Sequence, residues 1–269
     1  MAWAHLDYIK PFEAKPLRGL RLALTVGVPG PWGESAKKML EYKGIDFIAV
    51  EQHPAQPNED LVAWTGVRNA PIAIYNDEAP KTNFQDIVAL AERINPNPSL
   101  VPSGWNERIT CFGISNEICG EGGFGWSRRL MARTSLRERS LTKQEIEVLS
   151  KAPNLDRGTM EKAYGSSQIQ AANASDRVRE ILFGLKNRIR EQIALGSSYF
   201  VGESLTSCDI HWACFSNMLL PLPAKVNPMP EWLRISYADI GVIKLSDFEE
   251  LLEHRDMVFE KHLKLPLDF

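Results

Sequence analysis

Basic residues do not outnumber acidic ones: 31 Lys plus Arg face 34 Asp plus Glu, a formal net charge of −3. The cationic surplus that neutralises nucleic-acid phosphates is missing, so nucleic acid is not an expected partner. Cysteine is scarce as well, with four residues, Cys111, Cys119, Cys208 and Cys214, at irregular spacing and no CxxC pair. That excludes a disulfide scaffold and a paired zinc site, and reduced thiols in a cytoplasm are the expected state. No run approaches the roughly 18 apolar residues of a membrane span. The first sixteen residues contain Asp7 and Glu13 and no apolar stretch, unlike a secretory signal, so a soluble cytoplasmic protein is expected. What remains is ordinary: 44% hydrophobic and 24% charged residues over 269 positions. This is more chain than one core usually serves, which leaves two domains or one large α/β barrel.

Apolar patterning divides the chain. Residues 20–28 (LRLALTVGV) form a short apolar run between Gly19 and the Pro29-Gly30-Pro31 cluster, as a buried strand does. A helix is expected over 34–42, with Ala36, Met39, Leu40 and Lys43 at helical spacing and Gly44 at its C-terminal stop. Residues 46–51 (DFIAVE) read as a second strand, completing a right-handed parallel crossover. A short helix at 61–65, a strand at 72–75 and a helix at 84–94 follow, the last with Ile87, Leu90, Ala91 and Ile94 on one face. It stops before Asn95-Pro96-Asn97-Pro98, and the proline-rich stretch 95–104 marks a domain boundary.

Beyond that boundary no alternating strand pattern occurs, and the apolar spacing is helical. Helices are expected over 107–119, 125–132 and 176–194, the last carrying Val178, Ile181, Leu182, Leu185, Ile189 and Ile193 on one stripe. Residues 134–175 are polar and charged, reading as a loop with short helices such as 143–150. Thr206-Ser-Cys-Asp209 is a capping-box signature, and the apolar segment 209–220 behind it is expected to run through the middle of the helical half.

Four of these features together resemble the cytosolic glutathione transferase superfamily. The passage LRLALTVGVPGPWGESAKKMLEYKGIDF is similar to its first strand, active-site loop and first helix. Asn69-Ala70-Pro71-Ile72 resembles the loop whose proline is cis, Pro98-Ser-Leu-Val-Pro102 the interdomain linker, and the segment from Tyr199 to Asp209 the capping-box signature of the helical domain. The glycine-rich stretch from Asn116 to Trp126 resembles an insert in an uncharacterised bacterial branch of that superfamily. The resemblance implies an α/β thioredoxin-like N-terminal domain (19–95) after an N-terminal extension (1–18), a linker (96–104) and an all-α C-terminal domain (105–269). It also implies a homodimer that binds glutathione as co-substrate and attacks an apolar small-molecule electrophile.

The same resemblance exposes a departure. A glutathione thiol titrates too high to be mostly ionised near neutral pH, so an enzyme must favour the thiolate with a nearby donor. The family's Ser or Cys before a proline falls on Gly30, which has neither hydroxyl nor thiol. Substitutes are the backbone amides at the helix start near Gly33, Glu34 and Ser35, the Ser35 hydroxyl, and the Trp32 indole, each of which can equally cap or pack. The backbone at Ala70, turned outward by Pro71, is the expected partner of an extended peptide. The γ-glutamyl grip falls on Asn83-Phe84 by core periodicity or on Gln85-Asp86 by residue chemistry. In either register the family's Ser is missing, and Asn83 and Asp86 also suit a plain helix cap. Phe124, Trp126, Arg128 and Arg129, after a glycine-rich helix break, are candidates for the substrate cleft or for ordinary packing. Cys208, His211 and Cys214 read as small packed groups in an apolar helix, and no metal site is expected. Two functions stay open: a glutathione transferase performing transfer, thiolysis or reductive removal of a leaving group, and a non-catalytic binding or scaffold protein on the same fold.

Overall fold

The computed structural model describes residues 6–138, 141–152, 168–267 and 269. Part of the polar 134–175 segment, namely 139–140 and 153–167, lies outside the described residues, as do the first five residues of the N-terminal extension.

Strand β1 (Leu20–Thr25) is the centre of a three-stranded sheet of order β2-β1-β3. Strand β2 (Ile48–Gln52) runs parallel to it with Leu22 opposite Ala49, and β3 (Ile72–Tyr75) antiparallel with Leu22 opposite Ala73. Isolated bridges extend both edges, Ile9 to Val50 and Lys81 to Ala73. The period of two along β1 sends Leu20, Leu22 and Leu24 to one face, where Ala36 and Leu40 of α2 (Pro31–Tyr42) and Ile87, Leu90 and Ala91 of α4 (Phe84–Ile94) meet them. Ala23, with Ile72 and Ile74 of β3, points the other way, onto Ala14 of α1 (Pro11–Ala14) and Leu61 of α3 (Glu59–Thr65). Arg21 is buried; its guanidinium donates to the carbonyls of Gly19 and Asn76 and lies over the Trp64 ring. A strand apolar on both faces reads as one unbroken run, which is why its pattern is so plain in the sequence.

Several boundaries differ from the expected ones. Strand β1 ends at Thr25 rather than at 28, because Gly27 adopts φ +71° and turns the chain. Helix α2 begins at Pro31, three residues earlier than the spacing suggested, with Gly30 as its N-cap. Proline suits the first helical position, where its missing N–H is not needed. Strand β2 starts at Ile48 instead of 46.

The rest is helical: α5 (Trp105–Cys119), α6 (Phe124–Glu138), α7 (Lys143–Leu149), α8 (Gln168–Ala194), α9 (Ser207–Phe215), α10 (Glu231–Ala238) and α11 (Glu249–Lys261). Every residue of α9 is buried, and the Trp212 indole donates to the Leu251 carbonyl at 2.8 Å, tying α9 to α11. The expected single helix over 209–220 instead tightens into a 3-10 turn at Ser216–Met218. Pro221 and Pro223 cannot continue a helical ladder, and the turn precedes them.

The glycines between α5 and α6 answer a steric demand. A Cβ on Gly123 would stand 2.8 Å from the Glu117 carbonyl oxygen, and one on Gly125 would stand 2.3 Å and 2.6 Å from Phe215 ring carbons and 3.1 Å from the Trp32 ring. Gly125 is therefore where three elements from both halves close on one another. Gly125→Ala is expected to destabilise the protein by about 1–3 kcal/mol through overpacking. Urea unfolding followed by tryptophan fluorescence checks this; an unchanged midpoint would mean the Phe215 ring yields freely.

Candidate functional site

The starts of α2 and α4 and the end of α5 converge where the sheet-bearing half meets the helical half, with α9 closing the space between them. They enclose a cleft of about 300 Å³, the size of the smaller sites that hold small molecules. From α2 come Trp32, Ser35, Ala36 and Met39; Pro71, Thr82, Asn83, Phe84, Gln85 and Ile87 form the opposite wall, from which Asp86 is absent. Asn116, Cys119, Gly120 and Glu121 close it from the end of α5, and His211 contributes from α9.

Sequence logic accounts for the first two walls. Gly30, an ordinary extended residue at φ −67° and ψ 128°, caps α2, and its carbonyl accepts from the Glu34 amide at 2.9 Å. That bond already engages one of the amides expected to face an anion, and Ser35 lies further inside the helical ladder. The amides ahead of the ladder are those of Trp32 and Gly33. The Ser35 hydroxyl donates to the Trp32 carbonyl at 3.1 Å, the back-bond typical of a helical serine. The Trp32 indole N–H donates to the Cys119 carbonyl at 2.8 Å, its ring meets Phe215 edge-on at 4.8 Å, and the Arg129 guanidinium covers it at 4.8 Å. Trp32 thus joins the two halves as well as walling the cleft.

The Ala70–Pro71 peptide bond is cis, and Pro71 lies on the cleft wall while Ala70 precedes it. At the start of α4, Asn83 is the N-cap: its side-chain oxygen accepts from the Asp86 amide at 2.8 Å and its side-chain nitrogen donates to the Asp86 carboxylate at 2.8 Å. These two residues engage each other, and Gln85, exposed beside them, is left on the wall with Asn83. Phe124 is fully buried and packs edge-on against Trp212 at 5.4 Å. Trp126 is half-buried against the helical core, and the buried Arg128 donates to the carbonyls of Met218, Tyr237 and Asp239. None of Phe124, Trp126 and Arg129 belongs to the wall of this cleft.

Helix α2 carries charge into the interface between the halves. Lys37 pairs with Glu34 at 3.0 Å and Lys38 with Glu41 at 2.8 Å, with Lys37 and Lys38 almost without exposure. Lys43 reaches Glu92 at 2.7 Å and the Pro98 carbonyl at 2.6 Å, fastening α2 to α4 and to the segment leading into α5. Ions this deep in a protein persist only when paired. Their placement follows from α2 being covered on both sides, by the sheet and by α9.

Asn116, Glu121 and His211 also line the cleft, although their sequence context carries no sign of it. His211 is fully buried, its Nδ1 stands 3.0 Å from the Ser115 hydroxyl and its ring meets Phe84 edge-on at 5.4 Å. Burial lowers its pKa to about 3, so the imidazole is neutral. Cys119 is buried with its thiol donating to the Ser115 carbonyl, and desolvation holds that thiol protonated. All four cysteines are free and buried, and no cluster of metal-ligating side chains occurs among the described residues. No helix among them is long and apolar enough to cross a membrane.

No family model matches the sequence, nor does any curated protein. Solved structures do match in shape. A glutathione S-transferase from Methylobacillus flagellatus with glutathione bound superposes with a TM-score of 0.61 at 14% identity, covering 90% of this chain and 96% of that one. A beta-etherase from Sphingobium gives 0.60 at 15%, covering 90% and 95%. A Tau class glutathione S-transferase from mango gives 0.55 at 19%, covering 90% and 88%. By architecture, therefore, the chain carries the glutathione transferase fold, a thioredoxin-like N-terminal domain followed by an all-α C-terminal domain.

Proposed function

We propose that the protein binds glutathione, or a similar small thiol peptide, in the cleft between α2, α4 and α5. The observation that supports this most is that Pro71 and the starts of α2 and α4 meet around a space of about 300 Å³. Residues 19–95 are the binding unit in this reading, 96–104 the linker and 105–269 the helical unit that brings an apolar electrophile. The structural neighbours were crystallised with glutathione in one case and glutathione sulfonate in another. Asn83 and Gln85 supply neutral polar groups to the guest, and the Trp32 and Gly33 amides favour its anionic sulfur. A cytoplasmic homodimer belongs to the same reading, with Trp105 and Ile109 exposed one turn apart on α5 as candidate contact residues.

The competing reading is a non-catalytic binding protein. It is favoured by the glycine at position 30 and by the prior engagement of the Ser35 hydroxyl and the Trp32 indole. Titration calorimetry with reduced glutathione separates ligand from fold. Saturable binding displaced by S-hexylglutathione is the expected outcome, and a folded protein that gives no saturable heat would overturn the proposal. Turnover of an aromatic halide then divides enzyme from binder.

A further inference from the structure

We infer that Glu121 selects the guest of this cleft by charge, its carboxylate receiving the ammonium group of the bound thiol peptide from the helical side. The inference deepens the reading that such a peptide occupies the cleft, and rests on it. Among the described residues that wall the cleft, Glu121 is the one with a charged side chain, and no lysine or arginine stands beside it. The other polar groups are hydroxyls and carboxamides, desolvation keeps the Cys119 thiol protonated, and burial keeps the His211 imidazole neutral. The wall opposite offers the ammonium no anion, because Asp86 is engaged by Asn83 and lies off the cleft. Of the charged groups that a peptide such as glutathione carries, its single ammonium is therefore the one this wall attracts.

The backbone under Glu121 is held while its side chain is left free. The Gly120 carbonyl accepts from the Gly123 amide at 3.0 Å, closing a turn with Glu121 and Gly122 at its corners. Gly122 takes φ +72°, the value that makes glycine the natural second corner. From α8, Arg177 donates to the Gly122 carbonyl at 3.1 Å and pins the turn. That guanidinium is already paired with Glu117 at 2.7 Å and Glu180 at 2.9 Å, so its charge is balanced without Glu121. The Glu121 side chain is exposed and has no ion-pair or hydrogen-bond partner among the described residues, which leaves it able to turn onto a guest. Asn116 lies on the same wall, and a Cβ on Gly120 would stand 2.5 Å from its Oδ1. Glycine there leaves the carboxamide its room beside the turn, where its oxygen is a second acceptor for an ammonium with three N–H donors.

The test is titration calorimetry on the full-length protein with reduced glutathione and N-acetylglutathione, in which the ammonium is replaced by a neutral amide. Glu121→Gln should weaken glutathione binding about threefold, the size of an exposed ion pair, and leave binding of the N-acetyl peptide unchanged. High salt should shrink the difference between the two proteins, because an exposed pair is screened. Glu121→Lys, which sets like charges together, should weaken glutathione further. Both substitutions fall on an exposed, unpaired side chain, so the urea midpoint should stay where it is. Equal glutathione binding by wild type and Glu121→Gln, or a loss shared by both peptides, overturns the inference and leaves the ligand reading standing. Tighter binding by Glu121→Lys would mean that the turn meets a carboxylate of the guest, and overturns it as well. A wild type that binds no glutathione overturns both the inference and the reading beneath it.

Discussion

Replacing Gly30 by serine is expected to raise the rate of glutathione conjugation to a generic aromatic halide by about 100-fold while leaving the protein as stable as before. The rate figure is that of one preorganised donor at a developing or resident anion, on the order of 10²–10³ in kcat. The backbone already suits the change. Residue 30 has φ −67° and ψ 128°, where any L-residue before a proline is comfortable, and a Cβ built there meets nothing within 4 Å. Serine is also a better N-cap than glycine by a few tenths of a kcal/mol, so thermal unfolding should move little and, if at all, upward. The hydroxyl would stand two residues ahead of Trp32, at the same helix start whose amides favour an anion. Steady-state turnover of wild type and Gly30→Ser, with glutathione binding measured on both, checks the prediction. A folded variant that binds glutathione with no gain in rate would show that the sulfur does not lie against residue 30. It would also favour the binding-protein reading.

Much of this architecture was legible in the sequence because single residues with strong local demands mark it. Gly44 after Lys43, Asn83 ahead of Phe84 and the Thr206-to-Asp209 spacing each fix an element boundary through backbone chemistry, and β3 and α4 fall where the pattern put them, whereas the start of α2 at Pro31 was missed. What was not legible is what lies between the halves. Lys37 and Lys38 look like the solvated face of an amphipathic helix, yet both are buried, because α9 covers the side of α2 that the sheet leaves open. Local periodicity reports one buried stripe per helix and says nothing of a second partner far along the chain. The same blindness hid the cleft. Phe124 and Trp126 were attractive as aromatic residues after a break, but the break turns Phe124 into the core against Trp212. Asn116 and Gly120, just before it, reach the cleft instead. His211 was masked by its surroundings, since an apolar helix argues for packing until the partners of each ring nitrogen can be seen.

Asp209→Ala is expected to be the most damaging single substitution to stability, at about 4 kcal/mol or more, enough to cost most of the folded yield at 37 °C. Asp209 is fully buried and its carboxylate receives four donors. One oxygen accepts from the Phe200 amide at 2.8 Å and from His254 Nε2 at 2.9 Å. The other accepts from the Thr206 amide at 2.8 Å and the Thr206 hydroxyl at 2.7 Å, closing the capping box of α9. Alanine removes every acceptor at once, and each buried donor left without one costs roughly 1–3 kcal/mol. The total is a large share of the roughly 5–15 kcal/mol that holds a typical domain together. Loss of the N-cap interaction acts on α9 directly, and α9 is the helix against which both α2 and α11 pack. Asp209→Asn tests the account more finely, because it keeps one carbonyl acceptor but turns an N–H donor toward groups that are themselves donors. Its cost should fall between wild type and alanine. Urea unfolding monitored by tryptophan fluorescence, with soluble yield as the second readout, measures both variants. An Asp209→Ala protein within about 1 kcal/mol of wild type would mean that the donors around residue 209 find other acceptors, and that α9 is held by its apolar packing alone.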